Sequence, residues 1–295
     1  MGERMVSGLK KSAVFWMIVS VMGFSFMQLF VKLSGEDISV YLQVLCRNAL
    51  GMIIAGYYVR KEGLPVFGPA AEQPYLFARS IAGFLGLVTF FCATRLGDIA
   101  DATIINRTGP FFTTLFSVIF LKEKTRLPQW IALMLVFCGG LIAGNPGQSS
   151  SMAPMLLALA SAVCNGIAYT LLAHFRDKVP AMTVVMHFSV VCVICALPFV
   201  IRAFTMPGAR DILMLAMIAL TGCLGLISIT IAYRLSPASE ISIYDQLGIV
   251  MSVLIGWICL GETPSVSTIA GGLIVLTVSS WIFFYNKNKN TKHKE

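Results

Sequence analysis

The sequence has few charged residues, and this shortage excludes most soluble proteins. Only 12% of the 295 residues are charged, against roughly 25% in an average soluble domain. Because 57% of the residues are hydrophobic, so few polar side chains cannot cover the surface of a soluble protein of this size. The apolar excess therefore has to face lipid, and the sequence predicts a membrane protein.

The sequence also lacks the motifs of enzymes, metal sites and ATP-driven pumps. Its three histidines stand in no recognisable catalytic motif, and no Gly-x-x-x-x-Gly-Lys-Ser/Thr sequence is present. The eight cysteines lie inside apolar runs without metal-ligand spacing, so we interpret them as packing residues. We predict no enzymatic activity, no cofactor and no metal.

Apolar runs of about 20 residues, the length that crosses a bilayer as a helix, fill most of the chain. The first run, 14–31, is too long for a signal-peptide core and is predicted to be a retained helix. Breaks at turn, charge or proline signals divide the chain into ten predicted transmembrane helices, at 12–33, 39–59, 75–95, 98–121, 127–144, 152–174, 180–202, 210–235, 237–260 and 264–285.

The basic residues indicate an orientation for these helices. The net charge of +8 arises from short clusters between the apolar runs, which suits membrane topology better than binding to nucleic acid. Four basic residues fall on one side, Lys32, Arg95, Arg202 and Arg210. The other side holds Arg4, Lys10, Lys11, Arg60, Lys61, Lys122, Lys124, Arg126, Arg176, Lys178, Arg234, Lys287, Lys289, Lys292 and Lys294. We predict that both termini, including the basic tail 286–295, lie in the cytoplasm.

The second half of the chain repeats the first at an offset of 139 positions. The matched residues are Ala93, Arg95, Leu96, Ile104, Gly109, Leu115, Ile119, Leu121 and Glu123, which meet Ala232, Arg234, Leu235, Ile243, Gly248, Leu254, Ile258, Leu260 and Glu262. A repeat of five helices is odd, so the second copy enters the membrane from the opposite side. Inverted repeats of this kind are typical of alternating-access carriers.

Two stretches of the repeat also carry a family resemblance. The sequence from Leu96 to Pro110, followed by Leu121-Lys-Glu123, resembles the signature of the EamA family in the drug/metabolite transporter superfamily. Its second copy runs from Leu235-Ser-Pro-Ala-Ser-Glu240 to Leu260-Gly-Glu262. The resemblance implies an all-α membrane fold of ten helices, in two inverted five-helix repeats at 12–144 and 152–285, around a central cavity.

Ionisable residues deep inside a predicted helix are candidates for function, because a charge at the bilayer centre costs several kcal/mol. Arg47, Arg107 and Asp245 lie roughly 12–14 Å deep, and His187 is similarly deep. We predict that the two arginines bind an acidic group of a substrate and that Asp245 binds an ammonium group or a proton. The alternatives are a structural ion pair between Arg107 and Asp245, and neutral or partly hydrated side chains at these positions.

Other polar residues have weaker claims. His187 is either a proton relay or a histidine bonded to a neighbouring helix backbone, and Asp101 and Glu240, at matching repeat positions, are either gates or helix caps. Arg79 is expected to extend towards the membrane surface. Residues that would line a cavity are Asn106, Asn165, Tyr169, Tyr244, Phe24 and Gln28.

These observations favour a secondary transporter of the cytoplasmic membrane. Its predicted cargo is a small zwitterionic or anionic metabolite, such as an amino acid, a carboxylate or a nucleotide-like molecule, moved by alternating access with proton coupling or exchange. Its expected partners are this cargo and membrane lipid, with the chain a monomer or a homodimer. A passive channel and a membrane-embedded enzyme are the rival interpretations.

Overall fold

The structure, a computed structural model, describes residues 2–35, 38–120, 127–144, 152–175, 178–202, 204–235 and 244–292. All regular secondary structure in these ranges is helical. A short 3₁₀ turn, Ala70–Glu72, precedes the third helix. The α-helices are α1 Gly2–Leu33, α2 Val40–Lys61, α3 Gln73–Leu96, α4 Ile99–Asn106, α5 Gly109–Phe120, α6 Leu127–Gly144, α7 Ala153–His174, α8 Ala181–Arg202, α9 Ala209–Leu235, α10 Leu247–Leu260 and α11 Val266–Lys292.

The helices have the lengths and compositions that a bilayer requires. In the described part of the chain, six helices are long and apolar enough to cross a membrane, namely α1, α2, α3, α7, α8 and α9. Three shorter apolar stretches lie in α6, α10 and α11. With these and the α4–α5 pair, the described ranges contain ten candidate membrane-spanning segments. Large apolar side chains cover the outside of the bundle, such as Phe120 at 70% and Ile201 at 69% exposure. An apolar exterior of this extent fits lipid as the solvent.

The predicted fourth helix, 98–121, is broken in the middle. It consists of α4 and α5, which are separated at Arg107 and Thr108. Pro110 is the physical reason, because a proline has no N–H to bond the carbonyl of Asn106, four residues earlier. The Arg107 N–H bonds the Thr103 carbonyl and ends α4.

The ninth predicted helix breaks at the equivalent place. Residues 244 and 245 are helical, 246 is a turn, and α10 begins at Leu247. At the offset of 139, this turn matches Arg107, where α4 ends. Residues 237–243 of the predicted helix lie outside the described residues, and the description resumes at residue 244. Two helices interrupted at corresponding positions are the usual framework of a transporter binding site.

The packing of the helices follows an inverted two-fold arrangement. Helix α1 of the first half packs on α9 of the second half. The repeat counterparts of these two helices, α7 and α3, pack on each other in the same way. The pairs α2 with α8 and α6 with α11 each join a helix to its own counterpart. This pattern agrees with the two five-helix repeats expected from the sequence.

A buried apolar cluster lies between α1, α2, α3, α8 and α9. Its largest members are Phe84, Phe91 and Phe188. Close approach of α1 and α9 depends on glycine, because a Cβ at Gly23 would lie 2.8 Å from the backbone nitrogen of Gly225. These contacts hold α2 and α3, which carry Arg47 and Arg79, against α1, α8 and α9.

Candidate functional site

An ion pair joins the two halves at the helix breaks. The Arg107 guanidinium donates a hydrogen bond from Nη1 to the Asp245 carboxylate, and the side chains are 21% and 25% exposed. Arg107 follows the end of α4 and Asp245 precedes α10, so each residue lies where its helix is interrupted. The structure therefore brings Arg107 and Asp245 together as an ion pair. This pairing is the structural alternative to substrate binding that the sequence leaves open.

Gly248 leaves the space that this ion pair needs. A Cβ at Gly248 would lie 2.2 Å from Nη2 of Arg107. The repeat-equivalent residue, Gly109, has far more room, since the nearest atom to its Cβ position is 3.7 Å away. The two glycines therefore provide a matched comparison of a crowded and an open position.

Arg47 is almost completely buried and has no counterion among the described residues. Its side chain is 7% exposed, and its Nε has no hydrogen-bond partner in this part of the structure. Gly222 of α9 lies against it, because a Cβ there would be 3.0 Å from that Nε. A buried cation without a partner has a high free energy in a membrane, so binding of an anion next to Arg47 would be favourable.

Contrary to the prediction from the sequence, Arg79 does not extend towards the membrane surface, and it is a further candidate residue for the site. Its guanidinium lies 4.4 Å from the centre of the Phe188 ring. Its Nε and Nη1 atoms are buried and have no hydrogen-bond partner within the described ranges. The cation–π contact with a buried ring holds the charge inside the bundle.

Tyr169 of α7 identifies a space between these charges. Tyr169 is 51% exposed, yet the charges of Arg47, Arg79, Arg107 and Asp245 are near enough to act on its phenol. These charged groups come from four different parts of the chain. Tyr169 also lies one helical turn from Asn165, whose side chain reaches the Ser161 hydroxyl that Asn106 binds. We infer that the exposed surface of Tyr169 faces a space between the helices, which we call the cavity.

The amide residues lie beside this cavity in one hydrogen-bonded group. Asn106 donates to Ser161 Oγ over 2.8 Å, and Asn165 reaches the same oxygen over 3.5 Å. Ser161 in turn donates to the Gly86 carbonyl of α3 over 2.7 Å. The group joins α3, α4 and α7, and it leaves Asn106 and Asn165 partly exposed next to the helix break.

The three remaining predicted lining residues make contacts between helices. Gln28 accepts a hydrogen bond from Thr103 over 2.9 Å and is 7% exposed. Phe24 packs on Gly225, where a Cβ would lie 2.7 Å from its ring. Tyr244 packs on the apolar cluster around Met17 of α1.

His187 is buried and bonded to a side chain. Its Nδ1 is 2.9 Å from the Ser80 hydroxyl of α3, and the ring is 1% exposed. The rings of Phe67 and Phe77 contact its imidazole edge to face, with centroids 6.4 and 4.8 Å away. The predicted bond to a neighbouring helix is thus present, but it goes to a hydroxyl and not to the backbone.

A polar cluster, which we call the distal cluster, closes the end of the bundle that lies away from the termini. Lys32 pairs with Glu262 over 2.5 Å and donates to the Gly97 carbonyl. The other Glu262 oxygen accepts the Ile99 N–H at the start of α4, over 3.1 Å. Asp101, predicted as a gate or a cap, accepts a hydrogen bond from Thr268 over 2.7 Å. Its repeat-equivalent, Glu240, lies outside the described residues.

A second cluster lies at the opposite end of the bundle. His174 Nε2 is 3.0 Å from Glu72, and Lys178 is 3.5 Å from the other oxygen of the same carboxylate. Tyr75 contacts the imidazole with a ring-centroid distance of 4.7 Å. The cavity around Tyr169 therefore lies between two ends that are each joined by charged hydrogen bonds.

The donors present suit an organic ligand better than a metal. No group of three or more His, Cys, Asp or Glu side chains that could hold a metal ion occurs in the part of the chain that the structure describes. The cavity instead offers guanidinium, phenol and amide groups, which recognise acidic and polar organic molecules through directed hydrogen bonds.

Comparison with protein families gives a match along nearly the whole chain. The model of the EamA-like transporter family matches residues 11–144 and again residues 152–284. A crystal structure superposes with a TM-score of 0.63 at 17% sequence identity, covering 92% of this chain and 96% of that chain. At this identity the likeness shows the fold alone.

Two of the relatives are named for different transported molecules. The pseudopaline exporter CntI of Pseudomonas aeruginosa is 28% identical over 92% of this chain and 96% of its own length. The S-adenosylmethionine uptake transporter of Rickettsia conorii is 22% identical, over 76% of each chain. Mouse solute carrier family 35 member G1 is 27% identical over 91% of this chain and 79% of its own.

Proposed function

The chain belongs to the EamA-like transporter family, and from this premise we propose that it is a secondary active transporter of a small zwitterionic or anionic organic metabolite. Family membership makes it a multi-pass membrane transporter and not an enzyme. One relative is named as an exporter and another as an uptake transporter, so the direction of transport is a separate property of each member.

The cavity around Tyr169 carries the proposal about cargo. Arg47 lies beside it, nearly buried and with an unpartnered Nε among the described residues. A guanidinium in this situation gains most from a planar acidic group, which accepts two parallel hydrogen bonds. A cargo with a carboxylate or phosphate group supplies the missing charge.

In this proposal the helix breaks hold the polar ends of the cargo. Arg107 and Asp245 form an ion pair that can open to hold an acidic and an ammonium group, so a zwitterion replaces one salt bridge with two. Tyr169, Asn106 and Asn165 offer neutral hydrogen-bonding groups. Phe24, Gln28 and Tyr244 position α1, α4 and α10 around them.

The mechanism that we propose is alternating access. The repeats 12–144 and 152–285 would rock about the cavity, so that one end opens while the other stays closed. The distal cluster and the cluster around Glu72 are candidates for the contacts that break in turn. Asp245, His187, Asp101 and Glu240 are the candidate residues for proton coupling or gating.

Counterflow in proteoliposomes tests this function. Purified protein is reconstituted, loaded with one unlabelled metabolite from a library of amino acids, carboxylates and nucleotides, and offered the same labelled metabolite outside. We expect saturable uptake that accelerates with internal cargo, for at least one zwitterionic or anionic compound. Uptake that rises linearly with concentration and ignores internal cargo would indicate a channel instead.

We also propose that the protein resides in the cytoplasmic membrane with both termini in the cytoplasm, on the basis of its Lys and Arg distribution. Single cysteines introduced into 286–295 and 145–151 of a cysteine-free variant test this orientation. An impermeant maleimide added to intact cells should label 145–151 and spare the tail. Labelling of the tail from outside would reverse the orientation.

A further inference from the structure

Two of the three arginines around Tyr169 have no acidic partner among the described residues. Arg107 is paired with Asp245, but Arg47 and Arg79 form no salt bridge there, and three of their guanidinium nitrogens are buried without a hydrogen bond. The two charges also repel each other and both interact with Tyr169. Among the described side chains, the three guanidinium groups and the one carboxylate near Tyr169 thus leave an excess of two positive charges.

The surroundings of these arginines hold them in place. Phe188 lies under the Arg79 guanidinium at 4.4 Å, and a Cβ at Gly83 would lie 2.8 Å from the same ring. Gly222 confines Arg47 from the side of α9, since a Cβ there would lie 3.0 Å from the Arg47 Nε and 2.8 Å from the Met27 sulfur of α1. Side chains fixed by packing lose little freedom when they bind a ligand.

We propose that Arg47 and Arg79 form a subsite for an end of the cargo that carries two negative charges. The inference rests on the proposed transport function and narrows its substrate class to dianionic organic molecules, with two carboxylates or a phosphate monoester at one end. Each planar guanidinium can bind an acidic oxygen pair, and two of them neutralise a dianion that a single arginine could not.

The first test measures the ligand-free protein and does not depend on the identity of the cargo. Two unpaired cations in a buried site oppose folding, whereas a paired arginine supports it. At low ionic strength, the Arg47→Gln and Arg79→Gln variants of the full chain in detergent should melt about 2–4 °C above the parent. Arg107→Gln is the control and should melt lower, because it leaves Asp245 without its partner. Losses in Arg47→Gln and Arg79→Gln as large as in the control would overturn the subsite.

The second test compares ligands of matched shape. Succinate, its monoamide succinamate and inorganic phosphate are added to the detergent-purified protein, and the protection against thermal unfolding is titrated. We expect succinate or phosphate to protect at concentrations at least about 10-fold below succinamate. Arg47→Gln and Arg79→Gln should each remove this preference for the dianion.

Three results would count against the proposal. Equal protection by succinate and succinamate would show that one charge suffices. Protection by chloride alone, with no competition from either compound, would assign the site to a resident inorganic ion. Counterflow of a monocarboxylate zwitterion such as asparagine, unaffected by Arg79→Gln, would refute the dianion subsite and leave the transport function standing. Absence of counterflow for every library compound would instead contradict the transport function itself.

Discussion

The ion pair between Arg107 and Asp245 can be displaced without removing either charge, by replacing Gly248 with alanine. The new methyl carbon would lie 2.2 Å from Nη2 of Arg107, a distance at which two heavy atoms cannot coexist. The atom it meets is the end of a flexible side chain, so the guanidinium moves and the helix stays in place. The variant therefore tests the geometry of the pair and not its composition.

The effect on stability follows from two opposing contributions. A hydrogen bond between charged groups stabilises by about 1.5–3 kcal/mol, and this pair is mostly shielded from water. Alanine in place of a helical glycine returns about 0.5–1 kcal/mol. We expect Gly248→Ala to lower the free energy of unfolding by about 1–2 kcal/mol, which leaves a folded protein. Cargo binding should weaken at least about 10-fold, since 1.4 kcal/mol corresponds to a factor of ten.

The matched control is Gly109→Ala, at the repeat-equivalent position. Its Cβ would meet nothing closer than 3.7 Å, so binding and stability should stay near the parent values. Tryptophan fluorescence during thermal unfolding and counterflow in proteoliposomes give the two readouts. Unchanged counterflow in Gly248→Ala, with the protein folded, would refute the claim that the position of the Arg107 guanidinium matters for transport.

Three further predictions concern the charged residues at the helix breaks and at the distal end. Arg107→Lys keeps the charge but loses the planar fork, so it should weaken binding of an acidic cargo in a folded protein, and parental affinity would exclude binding through the fork. Asp245→Asn leaves Arg107 without its partner and should lower the melting temperature and abolish uphill uptake driven by a pH gradient; undiminished uphill uptake would exclude Asp245 as the proton-coupling residue. Lys32→Met and Glu262→Gln each remove the ion pair of the distal cluster. They should increase labelling, from that end, of a single cysteine introduced at Asn165 of a cysteine-free variant. A double variant no more labelled than either single one would show that the two residues act as a pair.

The sequence was sufficient to predict the charged residues of the helix breaks. Arg107 and Asp245 were recognisable because each is ionisable and about half a span from the nearest helix end, where a charge is expensive unless it is used or paired. Whether Arg107 and Asp245 can pair with each other depends on the distance between two helices that are far apart in the chain. No spacing within a single sequence records that distance.

One residue in the sequence, Pro110, indicates the break in the fourth helix. Pro110 has no N–H to bond the carbonyl of Asn106, yet the apolar run 98–121 is continuous and its hydropathy predicts a single helix. Hydropathy measures only whether a segment prefers lipid. Proline inside such a segment is tolerated where neighbouring groups or a water-filled cavity satisfy the freed backbone groups.

Arg79 shows the limit of reasoning from depth alone. It lies six residues after the start of α3, about 9 Å along the helix, and a side chain of this length can reach the membrane surface from there. The Arg79 guanidinium lies in the interior because it contacts the ring face of Phe188 on α8. This contact exists only once α3 and α8 have packed together. A charge near the end of a span therefore cannot be assigned to the surface before its neighbouring helices are known.

The charge balance of the cavity connects these residues to the transport cycle. Around Tyr169, the described side chains contribute three guanidinium groups and one carboxylate, and closing such a cavity removes water from whatever charge is unbalanced. An empty cavity would carry its excess positive charge through the closed state, where desolvation is most costly. A cavity that holds a dianion passes through the same state nearly neutral. The loaded carrier should therefore change its conformation faster than the empty one, and exchange of cargo for cargo should exceed net movement in either direction.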